Sequence, residues 1–269
     1  MELGTETVGH VIARLLDKPS ARADPDRVIP TSLRHLDEIL AGGLRTGQTT
    51  VVAGRSGEGA STFALGLARS VALRHRLPSV VLAPDAPESE VITRLISAET
   101  SIRAQQLRHR HLTEHEQRRL WEQEERLTSA PLGIWAGRQF AGNLVDSVNA
   151  MTFEDGDIRL VVADGVATLG DEAREAVSMM TRLARERHFA LVLVSGATPP
   201  PDGHGDPSLT DLRDHDAIAD LVDTVLMIEQ GEPPEAHVHV VKQRYGPTGS
   251  FTLGLQHHCS SFTNLPEVT

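Results

Sequence analysis

A glycine-rich segment is the part of this sequence whose residue types and spacing most directly indicate chemistry. Residues 49–68 read TTVVAGRSGEGASTFALGLA, so Gly54, Gly57 and Gly59 fall between a β-branched run and a helical pattern. Glycines at such a junction let backbone N–H groups curl around phosphate oxygens at the N-terminus of the helix. The segment is therefore predicted to be a phosphate-binding loop.

The loop matches the pattern G-x-x-x-x-G-K-[ST] at Gly54, Gly59 and Ser61, but Ala60 stands at the lysine position. That lysine normally reaches the terminal phosphates, and one charge-assisted hydrogen bond contributes about 1.5–3 kcal/mol. Glu58 adds a negative charge where phosphate would lie. Two interpretations stay open, a nucleotide site with Ser61 as a Mg²⁺ ligand and an inherited turn that no longer binds nucleotide. The candidate nucleotide-binding residues of the loop are Gly54, Arg55, Ser56, Gly57, Glu58, Gly59, Ala60, Ser61 and Thr62.

The charge balance and cysteine count restrict the classes of partner. Lys and Arg total 26 and Asp and Glu total 37, which gives a formal net charge of −11. So acidic a chain is a poor general binder of nucleic acid or anionic membrane, and contact with single-stranded DNA needs a local basic patch. Cys259 is the sole cysteine, which excludes an intramolecular disulfide and a zinc site of several cysteines. No apolar run reaches the roughly 18 residues of a membrane span, and the polar, acidic start does not fit a secretory signal. We expect a cytoplasmic protein without membrane association.

The elements that must position the loop are short aliphatic strands alternating with helices. Aromatic residues make up only 3% of the chain, so the core must be aliphatic. Strands are predicted over residues 49–54, 78–83, 158–165, 189–196, 220–228, 237–244, 249–256 and 260–265. Helices are predicted over residues 34–44, 60–75, 89–100, 113–130 and 171–187. Strands rich in Val and Leu that alternate with helices predict an α/β fold with a mainly parallel sheet covered on both faces.

Other groupings of polar residues fit solvent-exposed positions better than chemistry. The histidine groups lie at residues 109–115, 237–239 and 257–258, the last beside Cys259. Each has a spacing compatible with metal binding, but none brings a paired carboxylate or a cysteine at structural-zinc spacing. They are interpreted as surface histidines. Residues 214–216, Asp-His-Asp, would form a catalytic dyad only beside a nucleophile, which the sequence does not show.

With its later segments added, the chain resembles the C-terminal RecA-like motor domain of DnaB-type replicative helicases over about residues 28–265. Five segments carry the resemblance: VIPTSLRHLDEILAGGLRTGQTTVVAGRSGEGASTFALGLA (28–68), RLISAETSI (94–102), LVVADG (160–165), SLTDLRDHDAIADLVDTVLMI (208–228) and VVKQRYGPTGSFTLGL (240–255). The last is the most specific, and RecA-like relatives of the KaiC and RadA kind match it less well. The resemblance implies a RecA-like P-loop NTPase fold with a C-terminal β-hairpin and a degenerate Walker A motif.

The resemblance also implies roles for residues at the ends of the predicted strands. Asp164 matches the Walker B aspartate, which with Ser61 would orient Mg²⁺; the alternative is a strand-end aspartate that caps the next turn. Asp85 aligns with the glutamate that polarises the attacking water, but it is one methylene shorter and lies near Pro84. Gly196 stands where the family has a glutamine that links nucleotide state to DNA.

Two basic residues and one acidic loop complete the implied site. Lys242 and Arg244 match the pair that in the family reaches a neighbouring subunit's terminal phosphate as an arginine finger does; solvated basic residues on a strand are the alternative. The DNA-facing loop of the family has an arginine near Arg213, and Asp216 replaces a glycine there. Asp211, Asp214 and Asp216 are expected to crowd this loop and to oppose a phosphate backbone. The implied catalytic residues are Asp85, Lys242 and Arg244.

The predicted organisation is an N-terminal helix and linker over residues 1–27, followed by a RecA-like domain over residues 28–269. Residues 5–17 resemble the linker helix that docks on an adjacent subunit, which implies a homo-oligomeric ring or filament, or a hetero-assembly with an intact helicase subunit. Because Ala60, Asp85 and Gly196 depart from the family while Lys242 and Arg244 persist, we expect an assembling subunit with impaired or lost ATPase that binds ATP and Mg²⁺ weakly or not at all. The alternative is an active, divergent ATP-dependent helicase that binds single-stranded DNA.

Overall fold

A nine-stranded sheet runs through the centre of the structure, a computed structural model that describes residues 28–137, 157–165, 173–198, 206–213 and 215–266. Its strands are β3 (Thr49–Gly54), β4 (Ser79–Ala83), β5 (Leu132–Ala136), β6 (Leu160–Asp164), β7 (Ala190–Gly196), β8 (Thr224–Gln230), β9 (Glu235–Gln243), β10 (Gly249–Gln256) and β11 (Ser261–Thr263). Strands β1 (Val28–Ile29) and β2 (Leu44–Arg45) form a separate antiparallel pair.

The strand order of the large sheet is β11-β10-β9-β8-β3-β7-β6-β4-β5. Strands β3 to β8 pair in parallel, whereas β9, β10 and β11 extend the sheet as antiparallel neighbours after β8. This arrangement confirms the predicted α/β, RecA-like fold with antiparallel strands at the C-terminus.

Helices cover both faces of the sheet, as the continuous apolar strands predicted. They are α1 (Arg34–Ile39), α2 (Ala60–His75), α3 (Glu88–Thr100), α4 (Ala104–His109), α5 (Glu114–Thr128), α6 (Ala173–Arg187) and α7 (His215–Ile218). On one face Phe63 and Leu67 of α2 join the aliphatic core, and on the other Val177 and Met180 of α6 do so. Among the described residues no helix is long and apolar enough to cross a membrane.

The parallel strands bring several candidate residues to one edge of the sheet, because their carboxyl ends point the same way. Strand β3 ends at Gly54, β6 ends at Asp164 and β7 ends at Gly196. Asp85 follows β4 by two residues. The phosphate loop and the acidic residues therefore share the same edge, where α/β proteins commonly bind ligands.

The structure differs from the sequence-based elements at several places, including the strand predicted over 220–228, which begins at Thr224. The helix predicted over 34–44 ends at Ile39, because Gly42 and Gly43 adopt φ values of +115° and +132° and Leu44 then pairs with Ile29. Helix α4 and strand β5 were not predicted; α4 is a short polar turn of helix, and β5 is a partly buried edge strand. The helix predicted over 5–17 lies outside the described residues.

Candidate functional site

The loop between β3 and α2 has the backbone shape of a phosphate cradle. Gly57 and Gly59 adopt left-handed conformations with φ of 90° and 98°, and Gly59 is the N-cap of α2. A Cβ atom added to Gly57 would meet nothing within 4 Å, so this part of the loop faces open space. That space is a cavity of about 700 Å³ lined by six residues between Gly54 and Ala60 together with Ser61 and Thr62. Only glycine adopts these torsions without strain, so the glycine positions agree with the backbone shape expected for the loop, and phosphate binding stays a prediction.

Glu58 and Arg55 hold the loop from within. The buried carboxylate of Glu58, 8% exposed, accepts a hydrogen bond from the Arg55 backbone N–H at 2.6 Å and another from Arg55 Nε at 2.6 Å. Gln230 adds a third restraint by donating from Nε2 to the Gly57 carbonyl at 2.6 Å. The negative charge expected here is thus present, but it forms an ion pair within the loop.

Ala60 and Ser61 begin α2 at the mouth of the cavity. Ala60 is 8% exposed and offers only a methyl group at the position of the lysine. Ser61 Oγ donates a hydrogen bond to Asp164 Oδ1 at 3.2 Å across the end of β6. Hydroxyl and carboxylate oxygens are the donors that Mg²⁺ prefers, so Ser61 and Asp164 fit a magnesium ion that would neutralise phosphate charge, and the open cradle at Gly57 fits the phosphates.

The carboxylate of Asp85 lies close to the Ser61–Asp164 pair. A Cβ atom on Gly165 would lie 3.0 Å from Asp85 Oδ2, which places the Asp85 carboxylate against the residue that follows Asp164. Burial raises the pKa of Asp164 above its ordinary value, the Ser61 hydrogen bond and Arg94 oppose that increase, and Asp85 adds to it. Asp85 therefore lies near Asp164, and its assignment to the attacking water stays a prediction.

The opposite wall of the cavity was not predicted from the sequence. It carries Glu90, Arg94 and Arg108 from α3 and α4, with Arg103, His257 and His258 nearby. Glu90 binds both Arg94, at 2.9 Å, and Arg108, at 2.6 Å. The available signal was the helical spacing of Glu90 and Arg94 after β4, but the helix that carries Arg108 was itself missed. In the described part of the chain, no three His, Cys, Asp or Glu side chains converge as metal ligands would.

Lys242 and Arg244 lie at the other edge of the sheet, where the parallel strands begin. Lys242 Nζ donates to the carbonyl oxygens of Ala219 and Val222 at 2.5 and 2.8 Å. Arg244 Nη1 lies 3.4 Å from Asp223 Oδ1, just before β8. Five residues of strand separate this edge from the phosphate loop, so the two are about 15 Å or more apart. The structure therefore does not bring these two side chains to the chain's own cavity.

Residues 211–213 form backbone hydrogen bonds with the end of β7, and the side chain of Asp211 is buried there. Asp211 is 6% exposed, and its carboxylate accepts hydrogen bonds from the Ser208 backbone N–H at 2.7 Å and from Ser208 Oγ at 2.9 Å. Asp211 is thus a buried capping residue, and the expectation that its charge opposes a phosphate backbone is wrong for this residue. Asp216 is exposed, whereas Asp214 lies outside the described residues.

The glycine-rich loop connects the first parallel strand, β3, to helix α2. Asp164, at the end of another strand of the sheet, lies 3.2 Å from Ser61 of this loop. This arrangement defines the RecA-like class of P-loop nucleoside triphosphatase folds. Within this class, the family model of the DnaB-like helicase C terminal domain matches residues 28–264. The chain belongs to that family.

Curated relatives agree with this assignment, and solved structures share the fold. The chain is 27% identical over 259 residues to the replicative DNA helicase DnaB of Leifsonia xyli, covering 89% of this chain and 56% of the relative. It is 29% identical to DnaB of Mycobacterium leprae, covering 76% and 37%. The chain thus spans about half or less of the length of these relatives. One solved ATPase domain superposes with a TM-score of 0.81 at 20% identity, covering 97% of this chain and 100% of that one. A DnaB-like replicative helicase described with its primase interactions gives the same TM-score at 18% identity, covering 97% and 68%.

Proposed function

We propose that this chain is a RecA-like subunit of the replicative-helicase type whose own ATPase site is impaired and which acts in DNA replication within an assembly of similar subunits. The observation that carries the proposal is Ala60, a methyl group at the start of α2 beside an otherwise retained Ser61–Asp164 pair. The site keeps the groups that would hold Mg²⁺ and lacks the ammonium group that would reach the terminal phosphates.

Impaired turnover follows from where the charge is missing. Phosphoryl transfer is catalysed mainly by positioning and by stabilising charge that develops on the transferred group. A fixed positive group in a water-excluded site contributes more to the transition state than to binding. Loss of the lysine therefore lowers turnover more than affinity. Asp85, one methylene shorter than glutamate, further weakens the positioning of the attacking water, since a shift near 1 Å costs about a hundredfold in rate.

An assembly is supported by the position of Lys242 and Arg244. Both lie at the edge of the sheet opposite the phosphate loop and contact Ala219, Val222 and Asp223 there. Burial lowers the pKa of Lys242, and Arg244 lowers it further. A basic pair so far from the chain's own cavity can act on a nucleotide only across an interface, in a ring or filament of this chain or beside an intact helicase subunit.

An active ATP-dependent helicase is the second candidate. It is favoured by the retained cradle at Gly57 and Gly59 and by the proximity of Asp85 to Asp164. Single-stranded DNA would then contact the exposed side of the segment around Arg213, where the buried Asp211 contributes no opposing surface charge.

Two measurements on the purified full chain test the proposal. Isothermal titration with a non-hydrolysable ATP analogue and Mg²⁺ should give a dissociation constant well above about 1 μM. The binding free energy should therefore be weaker than the value of about −8 kcal/mol that corresponds to about 1 μM. Light scattering coupled to gel filtration should give a mass that is a multiple of the 29.2 kDa chain. Submicromolar binding would contradict impairment, and a monomer at every concentration would contradict self-assembly.

A further inference from the structure

Arg213 occupies the space that a side chain at position 196 would fill. A Cβ atom built on Gly196 would lie 3.0 Å from both Cζ and Nε of Arg213 and 3.3 Å from Nη2. Cβ contacts this short are rarely observed, so a side chain at position 196 would require the guanidinium to move by a few tenths of an ångström or more. The guanidinium of Arg213 therefore packs against the backbone of Gly196 at the end of β7.

The end of β7 is directly beside the phosphate loop. Gly196 is the register partner of Gly54, the first residue of the loop, and Ala197 N donates to the Gly54 carbonyl at 2.9 Å. Because neighbouring strands are about 4.8 Å apart, the guanidinium carbon lies less than about 10 Å from the Gly54 Cα atom. A flexible arginine at that distance can reach a phosphate held in the loop.

The segment that carries Arg213 is fixed to β7 by backbone contacts. Arg213 N donates to the Gly196 carbonyl at 3.0 Å, and Thr198 N donates to the Asp211 carbonyl at 2.8 Å. Ala197 and Leu212 form an antiparallel bridge between these two bonds. The backbone of Arg213 is therefore held beside the end of β7, and its exposed side chain moves from that fixed point.

The guanidinium of Arg213 is also available for an anion. It is exposed, and among the described residues it has no ion pair or side-chain hydrogen bond. Other arginines around the cavity already have carboxylate partners: Arg55 pairs with Glu58, and Arg94 and Arg108 share Glu90, which leaves that group with one net positive charge. Arg103 also lines the cavity.

We propose that Arg213 binds the terminal phosphate of a nucleoside triphosphate held in the phosphate loop, and so supplies from the segment after β7 the positive charge that Ala60 does not provide. This inference rests on the proposed function only in that the loop binds nucleotide. It assigns Gly196 a role as well, because the missing side chain at that position makes the space in which Arg213 lies. Nucleotide binding would then also restrain the segment 206–213.

A double-mutant cycle on the full chain tests this assignment, with affinity for the β,γ-imido analogue of ATP measured by titration calorimetry in Mg²⁺. Arg213→Ala should weaken binding about three- to tenfold, the effect of removing one partly solvated charge several ångströms from a phosphate. Gly196→Ala should weaken it less, because Gly196, with no left-handed φ, accepts alanine without backbone strain and its Cβ atom requires the guanidinium to move by only a few tenths of an ångström. The double variant should bind no more weakly than Arg213→Ala does.

Matched variants and melting curves separate this effect from loss of structure. Arg182→Ala removes an arginine that is 74% exposed on α6 and should leave affinity unchanged, and Arg213→Lys, which keeps the charge, should stay within about threefold of the unsubstituted chain. The inference is overturned if Arg213→Ala binds as the unsubstituted chain does, if the effects of the two substitutions multiply, or if Arg103→Ala weakens binding and Arg213→Ala does not. It is also overturned if Arg213→Ala weakens only the binding of an oligo-dT strand. If the unsubstituted chain binds no nucleotide, the nucleotide part of the proposed function fails as well.

Discussion

Restoring the lysine at position 60 should recover much of the lost nucleotide affinity. Ala60 is the first residue of α2 and lines the cavity next to Ser61 and Thr62, so a lysine there extends into the space above the loop. The nearest acidic group in the loop, Glu58, is already bound to Arg55 and does not compete fully for the new ammonium group. A charge-assisted hydrogen bond of about 1.5–3 kcal/mol corresponds to a roughly 10- to 150-fold lower dissociation constant.

The assay is calorimetric titration of Ala60→Lys with the imido analogue of ATP and Mg²⁺, beside the unsubstituted chain. Gln117→Lys on the exposed face of α5 is the matched control, since it adds the same charge away from the cavity. Thermal melting establishes that both variants are folded. Binding by Ala60→Lys that is no tighter than binding by Gln117→Lys would refute the reasoning, because the absent ammonium group would then not be what limits the site.

Three further substitutions test the structural basis of the site. Asp164→Asn should raise the melting temperature at pH 8, since each ~1 kcal/mol of stability gives about 2–4 °C in a chain of this size. Burial raises the folded-state pKa of Asp164, so its ionised form destabilises the fold above that pKa, and the gain should vanish below the unfolded-state pKa; an equal gain at pH 3 would contradict this. Asp223→Ala removes the acceptor of the buried Thr49 N–H and should cost about 1–3 kcal/mol in urea unfolding, whereas unchanged stability would contradict that role. Phe262→Ala deletes an aromatic ring that packs beside the phosphate loop and should cost about 3–5 kcal/mol; a loss under ~1 kcal/mol would show that the ring is not part of the core.

The sheet and the phosphate loop could be predicted because local sequence determines them. Continuous Val and Leu runs such as residues 190–194 form strands buried on both faces, and Gly57 and Gly59 fit a backbone that other residues would strain. The start of the helix predicted over 113–130 is also determined locally, because Thr113 and Glu116 form both hydrogen bonds of a capping box.

The remaining features depend on contacts between distant segments. Arg213 over Gly196, Arg108 beside Glu90 and the cap formed by Asp211 all require the folded chain. Strand β5 is an edge strand, and four of its five residues are only partly buried, so its periodicity is weak. Residue types indicated which groups could do chemistry, and the topology decided which of them meet.

The rate of ATP hydrolysis by the unmodified chain tests the account most directly. It is measured at saturating Mg-ATP, with and without single-stranded DNA, on protein whose assembly state has been established. With no ammonium group at position 60, turnover should stay below about 0.1 per second, roughly a hundredfold under a typical enzyme, and DNA should not stimulate it. DNA-stimulated turnover of several per second would contradict the claim that this site is catalytically impaired.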